Sequence, residues 1–299
     1  MPQFGRIPDE KFARWQAEMI ISPIATTAPK NVERRDIALW SWAGPRPTPL
    51  NQGNVGSCVG CGWAEAIRHY IGTNRGIRPE QRVCAEGVYG LSRVEIGGGR
   101  LGRQDGSLGS WAARAVKEYG VVLYEQYGSH DLRSGYTEQR AKDWGYRGMP
   151  DDLEPTARRY PVTDIIHTKT GDQVVDILCE GGTVPVASMQ GFRMERNNDG
   201  TGICEAEGEW AHQMYFVGYL TLRRGNTPVA VCCNSWGDYL RGGDKVELAT
   251  GQDIVLPPGM FCVRMDTVHK MARQGDTFGI LGATNHKPTD FTYLDYGGF

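Results

Sequence analysis

No stretch of this sequence is long and apolar enough to cross a bilayer, and the N-terminal run MPQFGRIPDEKFARWQAEMI is broken by Asp9, Glu10 and Glu18 before a signal-peptide core could form. Excess charge of one sign is missing too. The 33 Lys and Arg stand against 35 Asp and Glu, a net charge of −2, which argues against nucleic acid or an anionic membrane as partner. Internal repeats and low-complexity tracts are likewise lacking. The expected setting is therefore the cytoplasm or a virion, without export by a signal peptide. In that setting the eight cysteines read as free thiols and not as four disulfides.

What is present is an ordinary globular composition, 40% hydrophobic and 23% charged, with one outlier: 40 glycines among 299 residues. Glycine at that level predicts many turns and long connections. Apolar residues at three- and four-residue spacings predict helices over about Asp9–Met19, over Cys58–Ile71 ending at Gly72, and over about Pro79–Val94 ending at Gly97-Gly98-Gly99. Ser107 reads as the N-cap of a further helix carrying Trp111, Ala115, Val116 and Tyr119, and Thr170–Cys179 reads as another. From there the pattern changes to β-branched and aromatic runs: Val184–Met189, Gln213–Leu222, Pro228–Asn234 and Met260–Met265. The fold class expected is α+β. Its parts are an N-terminal extension over 1–45, a helical half over 46–182, a β-rich half over 183–283 and a tail over 284–299.

Three segments carry chemistry. Gln52-Gly53-Asn54-Val55-Gly56-Ser57-Cys58 delivers a cysteine to the first turn of a helix, where unpaired N–H groups and the helix dipole favour a thiolate. Trp210-Ala211-His212-Gln213 places a histidine at the mouth of an apolar strand, and Cys233-Asn234-Ser235-Trp236-Gly237 places an asparagine at the end of another. Taken singly each is bland: a helix-start cysteine is commonly a small buried hydrophobe, and a strand-end histidine or asparagine commonly a hydrogen-bonded core residue.

Taken together, in this order, they resemble the papain-like cysteine peptidases over roughly residues 46–265. Thr48-Pro49-Leu50-Asn51-Gln52-Gly53 with Gly56-Ser57-Cys58 is similar to that family's nucleophile segment, and Asn234-Ser235-Trp236-Gly237 matches its asparagine motif. The resemblance implies a helical half packed on an antiparallel β half, with the active site in the cleft between them. It implies an endopeptidase acting on a polypeptide substrate through a thiolate–imidazolium pair, with Cys58 as nucleophile, His212 as its base, Asn234 orienting the imidazole and Gln52 donating to the oxyanion. Gly106 and Ser107 would pair with extended substrate, Val186 and Ala187 would line the main pocket, and Trp236 would shield the His–Asn hydrogen bond. No cofactor and no metal is expected.

The pattern also departs from the family. Val55 stands where many members have a disulfide cysteine, Val59 where most have an aromatic residue, and Ala211 where an Asp or Asn is usual. Only 57 residues precede Cys58, which argues against a full inhibitory pro-segment, so residues 1–40 and the aromatic tail are expected to dock a protein partner. The competing reading is a structural or docking component of a larger assembly such as a virus particle. Cys58-x-x-Cys61 as a redox or zinc pair lacks further ligands at suitable spacing, since Cys232 and Cys233 are adjacent. Cys61 reads instead as packing one turn into the helix.

Overall fold

The computed structural model describes residues 5–21, 25–44, 48–75 and 77–284. Helix α1 (Glu10–Ile21) begins where Asp9 accepts a hydrogen bond from the N–H of Phe12 at 2.9 Å, a capping contact at the first turn. Its buried face, Ala13, Gln16, Ala17 and Ile21, packs toward α4, with Trp111 Nε1 donating to Gln16 at 2.9 Å. Strand β1 (Ile37–Ala38) follows and pairs with the central sheet.

Helix α2 (Cys58–Arg75) runs a full turn beyond the stop expected at Gly72. The physical reason is contact: a Cβ on Gly72 would collide with the indole of Trp42, so this glycine permits close approach and does not end the helix. Helix α3 (Ala85–Leu91) starts later than expected, because residues 83 and 84 are engaged in backbone pairing with Leu123 and Val122. It continues as a π-helical turn over Ser92–Ile96.

Helix α4 (Gly109–Glu118) is not capped by Ser107, whose hydroxyl bonds Ser92 instead at 2.9 Å. Its first-turn amides are taken by a distant carboxylate: Gly109 and Ser110 donate to Asp276 at 3.1 and 2.8 Å. A small hairpin, β2 (Gln126–Tyr127) with β3 (His130–Asp131), leads into α5 (Glu138–Arg147) and the short α6 (Glu154–Ala157). Buried Glu86 ties α5 to α3, accepting from the Thr137 N–H at 2.8 Å and pairing with Arg140 at 2.8 Å.

Strand β4 (Val162–His167) and helix α7 (Gly171–Cys179), capped by Thr170, precede the long strands β5 (Val184–Phe192), β6 (Ala206–Leu222) and β7 (Thr227–Cys233). The stretch after Asn234 forms a hairpin, β8 (Asp244–Glu247) with β9 (Asp253–Leu256), pinned by Arg196 to Asp244 at 2.6 Å. Then come β10 (Met260–Arg264), α8 (Met265–Ala272) and β11 (Asp276–Ala283). The sheet runs β10-β7-β6-β5-β11-β4 with β1 on β6, every pairing antiparallel. It therefore draws strands from both sides of residue 182. Helices α2 and α4 pack against β5, β6 and β11, which brings the first turn of α2 to the strand that carries His212.

Candidate active site

Two of the sequence segments are joined through their backbones. Gln52 donates its N–H to the Ser235 carbonyl at 2.9 Å, and Gly237 donates to the Leu50 carbonyl at 3.0 Å, so the Cys58 lead-in and the Asn234 motif lie side by side. Gly53, at φ +59, makes the turn between that pairing and the helix. Gln52 is fully buried, its Oε1 accepting from Ser235 Oγ at 2.8 Å while Nε2 donates to the Val55 carbonyl at 3.0 Å. The side chain expected to serve an oxyanion is thus rigidly held, and oriented by the asparagine motif.

Strand β6 begins at the surface and His212 is its first fully buried residue. Its Nε2 meets Asn234 Oδ1 at 2.7 Å, and the same oxygen accepts the Ser235 backbone N–H at 2.7 Å. A backbone N–H can only donate, so that atom is the amide oxygen and His212 Nε2 must carry hydrogen. In the neutral ring the basic lone pair is then on Nδ1. Trp236 lies over this arrangement, its ring 4.7 Å from the imidazole and 4.9 Å from Trp210, which keeps water from the His–Asn bond. Burial is the dominant influence on the imidazole and lowers its pKa to about 4, against an upward pull from the bond to Asn234.

Cys58 opens α2 as expected, but its thiol is not acidified. Burial pushes it up to about 12, outweighing backbone hydrogen bonds from Gln213, Gly5 and Val59 and the nearby Arg6 charge. Thiol and imidazole are both neutral at pH 7 in this state, the reverse of the ion pair implied by the family resemblance. The N-terminal segment, expected from sequence to dock a partner, lies against Cys58 in this state. Ser107 donates to the Gly5 carbonyl at 2.9 Å, Ile7 donates to the Ser107 carbonyl at 3.1 Å, and Arg6 donates to the Ala211 carbonyl at 3.1 Å. Residues 5–7 thereby lie extended across the site. Gly5 is a requirement of this seat, because a Cβ there would run into the Gly56 carbonyl.

Gly106 and Ser107 accordingly sit where an extended chain pairs, Gly106 at φ +108 beside the Gly5 carbonyl. Val186 and Ala187 are fully buried on β5, opposite Thr277 and Asp276 of β11. Sequence reasoning missed Gly5, Arg6, the Ala211 carbonyl and Asp276. The one available signal was Asp276 itself, a lone charge at the head of the apolar run TFGILGA. All eight cysteines are free and buried, and Cys61 lies one turn into α2 beside Ser57 Oγ at 3.8 Å. Among the described residues no group of three or more His, Cys, Asp or Glu could hold a metal, and no helix is long and apolar enough to cross a membrane.

No protein-family model and no curated protein sequence matches the chain. Solved structures do. Xylellain, a cysteine protease from Xylella fastidiosa, aligns with a TM-score of 0.60 at 17% identity, over 93% of this chain and 96% of its own. Digestive procathepsin L 3 of Tenebrio molitor larval midgut aligns at 0.56 and 14% identity, over 91% and 79%. The ragweed pollen allergen Amb a 11, a cysteine protease in its proform, aligns at 0.53 and 14%, over 92% and 76%. What is shared at these identities is the fold, and the fold is papain-like: a helical half against an antiparallel sheet.

Proposed function

We propose that this papain-like fold carries a cysteine endopeptidase whose own N-terminal segment holds it closed. The observation that supports this most directly is the extended backbone of residues 5–7, hydrogen-bonded to Ser107 on one side and Ala211 on the other at the first turn of the Cys58 helix. A site that binds main chain through main chain accepts polypeptide as a class, and the chain itself occupies it. When residues 5–7 leave, water enters, the desolvation that separates the two pKa values falls away, and the Cys58 proton can pass to His212 Nδ1.

The reaction then follows from the groups present. The Cys58 thiolate attacks the scissile carbonyl, forming a C–S bond, and the C–N bond breaks as His212 gives its proton to the leaving amine. Water, deprotonated by the same imidazole, attacks the thioester and releases the acid with return of the thiol. Asn234 holds the ring in the tautomer this requires, and the Gln52 amide and the Cys58 N–H are positioned as the donors for the developing oxyanion. Hydrolysis of an unfolded polypeptide from pH 4 to 9 tests the reading. Cys58→Ser and His212→Ala should each abolish turnover, while Asn234→Ala should lower it by about tenfold to a hundredfold, since it orients the base without moving the proton. A wild-type chain that is folded and alkylated at Cys58 but cleaves nothing at any of these pH values would refute it.

A second role is compatible with the first. Trp15 and Met19, one turn apart on α1, are 53% and 62% exposed. An apolar pair in water on the helix that follows residues 5–7 supports docking of a protein partner to the N-terminal segment, as the composition suggested. A partner bound there would act on the same segment that closes the site.

A further inference from the structure

Residues 52–58 carry the two donors proposed for the oxyanion, the Gln52 side chain and the Cys58 N–H, and no covalent tie holds them. All eight cysteines are free and buried. On one side the segment rests on the Asn234 motif through Ser235. On the other, three side chains from distant parts of the chain grip its backbone. Asp105 Oδ2 accepts the Gly56 N–H at 2.8 Å, and Glu138 Oε1 accepts the Asn54 N–H at 3.0 Å. Tyr136 Oη donates to the Gln52 carbonyl at 3.0 Å. A phenol has one hydrogen to give, so Ser57 Oγ, 2.8 Å from the same Oη, donates in the second bond. Gly53 admits this approach, since a Cβ there would collide with the Glu138 carboxylate. Asn54 and Asp105 are exposed, and water could satisfy an amide there, so the carboxylates add direction as well as partnership. The three grips are themselves anchored on one helix. Buried Glu86 of α3 accepts the Thr137 N–H and pairs with Arg140, fixing the turn that bears Tyr136 and Glu138. Buried Arg93, in the π-helical turn that continues α3, donates to the carbonyls of Gly102 at 2.9 Å, Gln104 and Gly106, fixing the turn that bears Asp105.

We infer that Asp105, Tyr136 and Glu138 are positioning residues: they aim the proposed oxyanion donors, and Asp105 couples that aim to the loop that pairs with extended main chain. The inference rests on the peptidase reading and extends it. Asp105 stands directly before Gly106 and Ser107, and the Ser107 backbone now holds residues 5–7. A chain paired with Ser107 therefore orders Asp105, and Asp105 orders the Gly56 amide, two residues before the Cys58 N–H. Tyr136 does the same for Gln52 by holding its carbonyl. A donor contributes to the transition state according to how well it is aimed. A segment free to tilt loses that aim while the contacts that bind substrate remain.

The test uses the full chain with Arg6→Ala, which should loosen residues 5–7 and leaves residues 52–58 untouched. In that background Asp105→Ala should lower kcat about tenfold per titrated Cys58 with KM within about twofold, because the aim matters only in the transition state. Asp105→Asn keeps an acceptor oxygen and should recover kcat to within about threefold of the background. Alkylation of Cys58 by iodoacetamide generates no oxyanion and should keep its rate within about twofold in every variant. Tyr136→Phe should repeat the pattern with a loss of about threefold in kcat, and it decides alone if Asp105→Ala does not fold. A loss in KM alone, an Asp105→Asn variant as slow as Asp105→Ala, or alkylation that slows in step with turnover would overturn the assignment, the last because it marks a collapsed loop. A peptidyl aldehyde separates the positioning from the peptidase reading. The Cys58 sulfur adds to its carbonyl carbon, the thiol proton passes to the carbonyl oxygen, and that oxygen faces the same donors. Aldehyde affinity that falls about tenfold in Asp105→Ala, with no peptide hydrolysed by any variant, would keep the positioning and refute the peptidase. Hydrolysis with kcat unchanged in Asp105→Ala would do the reverse, and no aldehyde adduct in the background variant would overturn both.

Discussion

Two buried polar clusters flank the reacting thiol, and they are built to opposite standards. In the His212–Asn234–Ser235–Gln52 cluster the hydrogen bonds close at 2.7 to 2.9 Å, and each tightens the geometry of the next. In the Arg6–Asp276 cluster the charged partners stand 3.7 Å apart and the guanidinium nitrogens go without hydrogen bonds among the described residues. A closed network is costly to disturb and keeps one arrangement. A buried ion pair at loose distance gains little over its desolvation cost and is replaceable. On the proposed reading, the difference separates machinery that must stay in place from an occupant that must leave.

The largest effect should come from breaking the loose cluster. Arg6→Glu places a second carboxylate against Asp276 in a site without water, and seating residues 5–7 then costs about 3 kcal/mol or more. The rate of Cys58 alkylation by iodoacetamide at pH 7 should rise by about a hundredfold, with the melting temperature of the rest of the chain little changed. Arg6→Lys keeps the charge and should change the rate far less. If Arg6→Glu leaves Cys58 as protected as in the wild type, residues 5–7 do not close the site through this contact.

Proton uptake should also loosen the segment, by a smaller amount and in both directions. In the closed state His212 titrates at about 4, below the ordinary histidine value of about 6.5, so under pH 6.5 the open form binds a proton that the closed form refuses. Closure is therefore intact above about pH 6.5 and weakens as pH falls, by about tenfold in the closed-to-open ratio at pH 5.5. Cys58 acts on the other side: its closed-state value of about 12 exceeds the ordinary thiol value of about 8.5, so above pH 8.5 the open form releases a proton that the closed form retains. Hydrogen exchange of residues 5–21, corrected for its intrinsic pH dependence, should be slowest between about pH 6.5 and 8.5 and faster on either flank. A flat profile would mean that the segment covers the site without dehydrating it.

Legibility follows the same division. Gln52, Cys58 and Asn234 stood out in the sequence because each sits in a contiguous motif, Gln-Gly to Gly-Ser-Cys or Asn-Ser-Trp-Gly, that demands a local backbone shape as well as a side chain, and His212 stood out at the head of an apolar strand. The helices and strands at the centre were readable for the related reason that α2 and the core of β6 have clean apolar periodicity. Gly72 misled because its lack of a side chain serves Trp42, a partner 30 residues earlier, and Ser107 misled because the cap it seemed to offer comes from Asp276. Arg6 and Asp276 meet only through tertiary structure, with no spacing between them for a motif to record. The short N-terminus argued against inhibition on the ground of length; length says nothing of the backbone pairing that residues 5–7 make on both sides.

The smallest predicted effect probes how far the tight cluster depends on any one member. Ser235 Oγ donates to Gln52 Oε1 at 2.8 Å and so fixes which way the Gln52 amide faces. Ser235→Ala removes that donor but keeps the Ser235 backbone N–H that holds Asn234, and so keeps the His212 tautomer. The loss should be about 1 kcal/mol of stability, roughly 2 °C in melting temperature for a chain of this size. Turnover in the Arg6→Ala background should fall by about threefold to tenfold in kcat with KM unchanged, because a misaligned oxyanion donor is missed in the transition state and not in substrate binding. Loss in KM alone would assign Gln52 to substrate positioning. Loss of all activity would mean that the network transmits through Ser235 to the imidazole after all, and that the tight cluster behaves as one unit and not as a set of separable bonds.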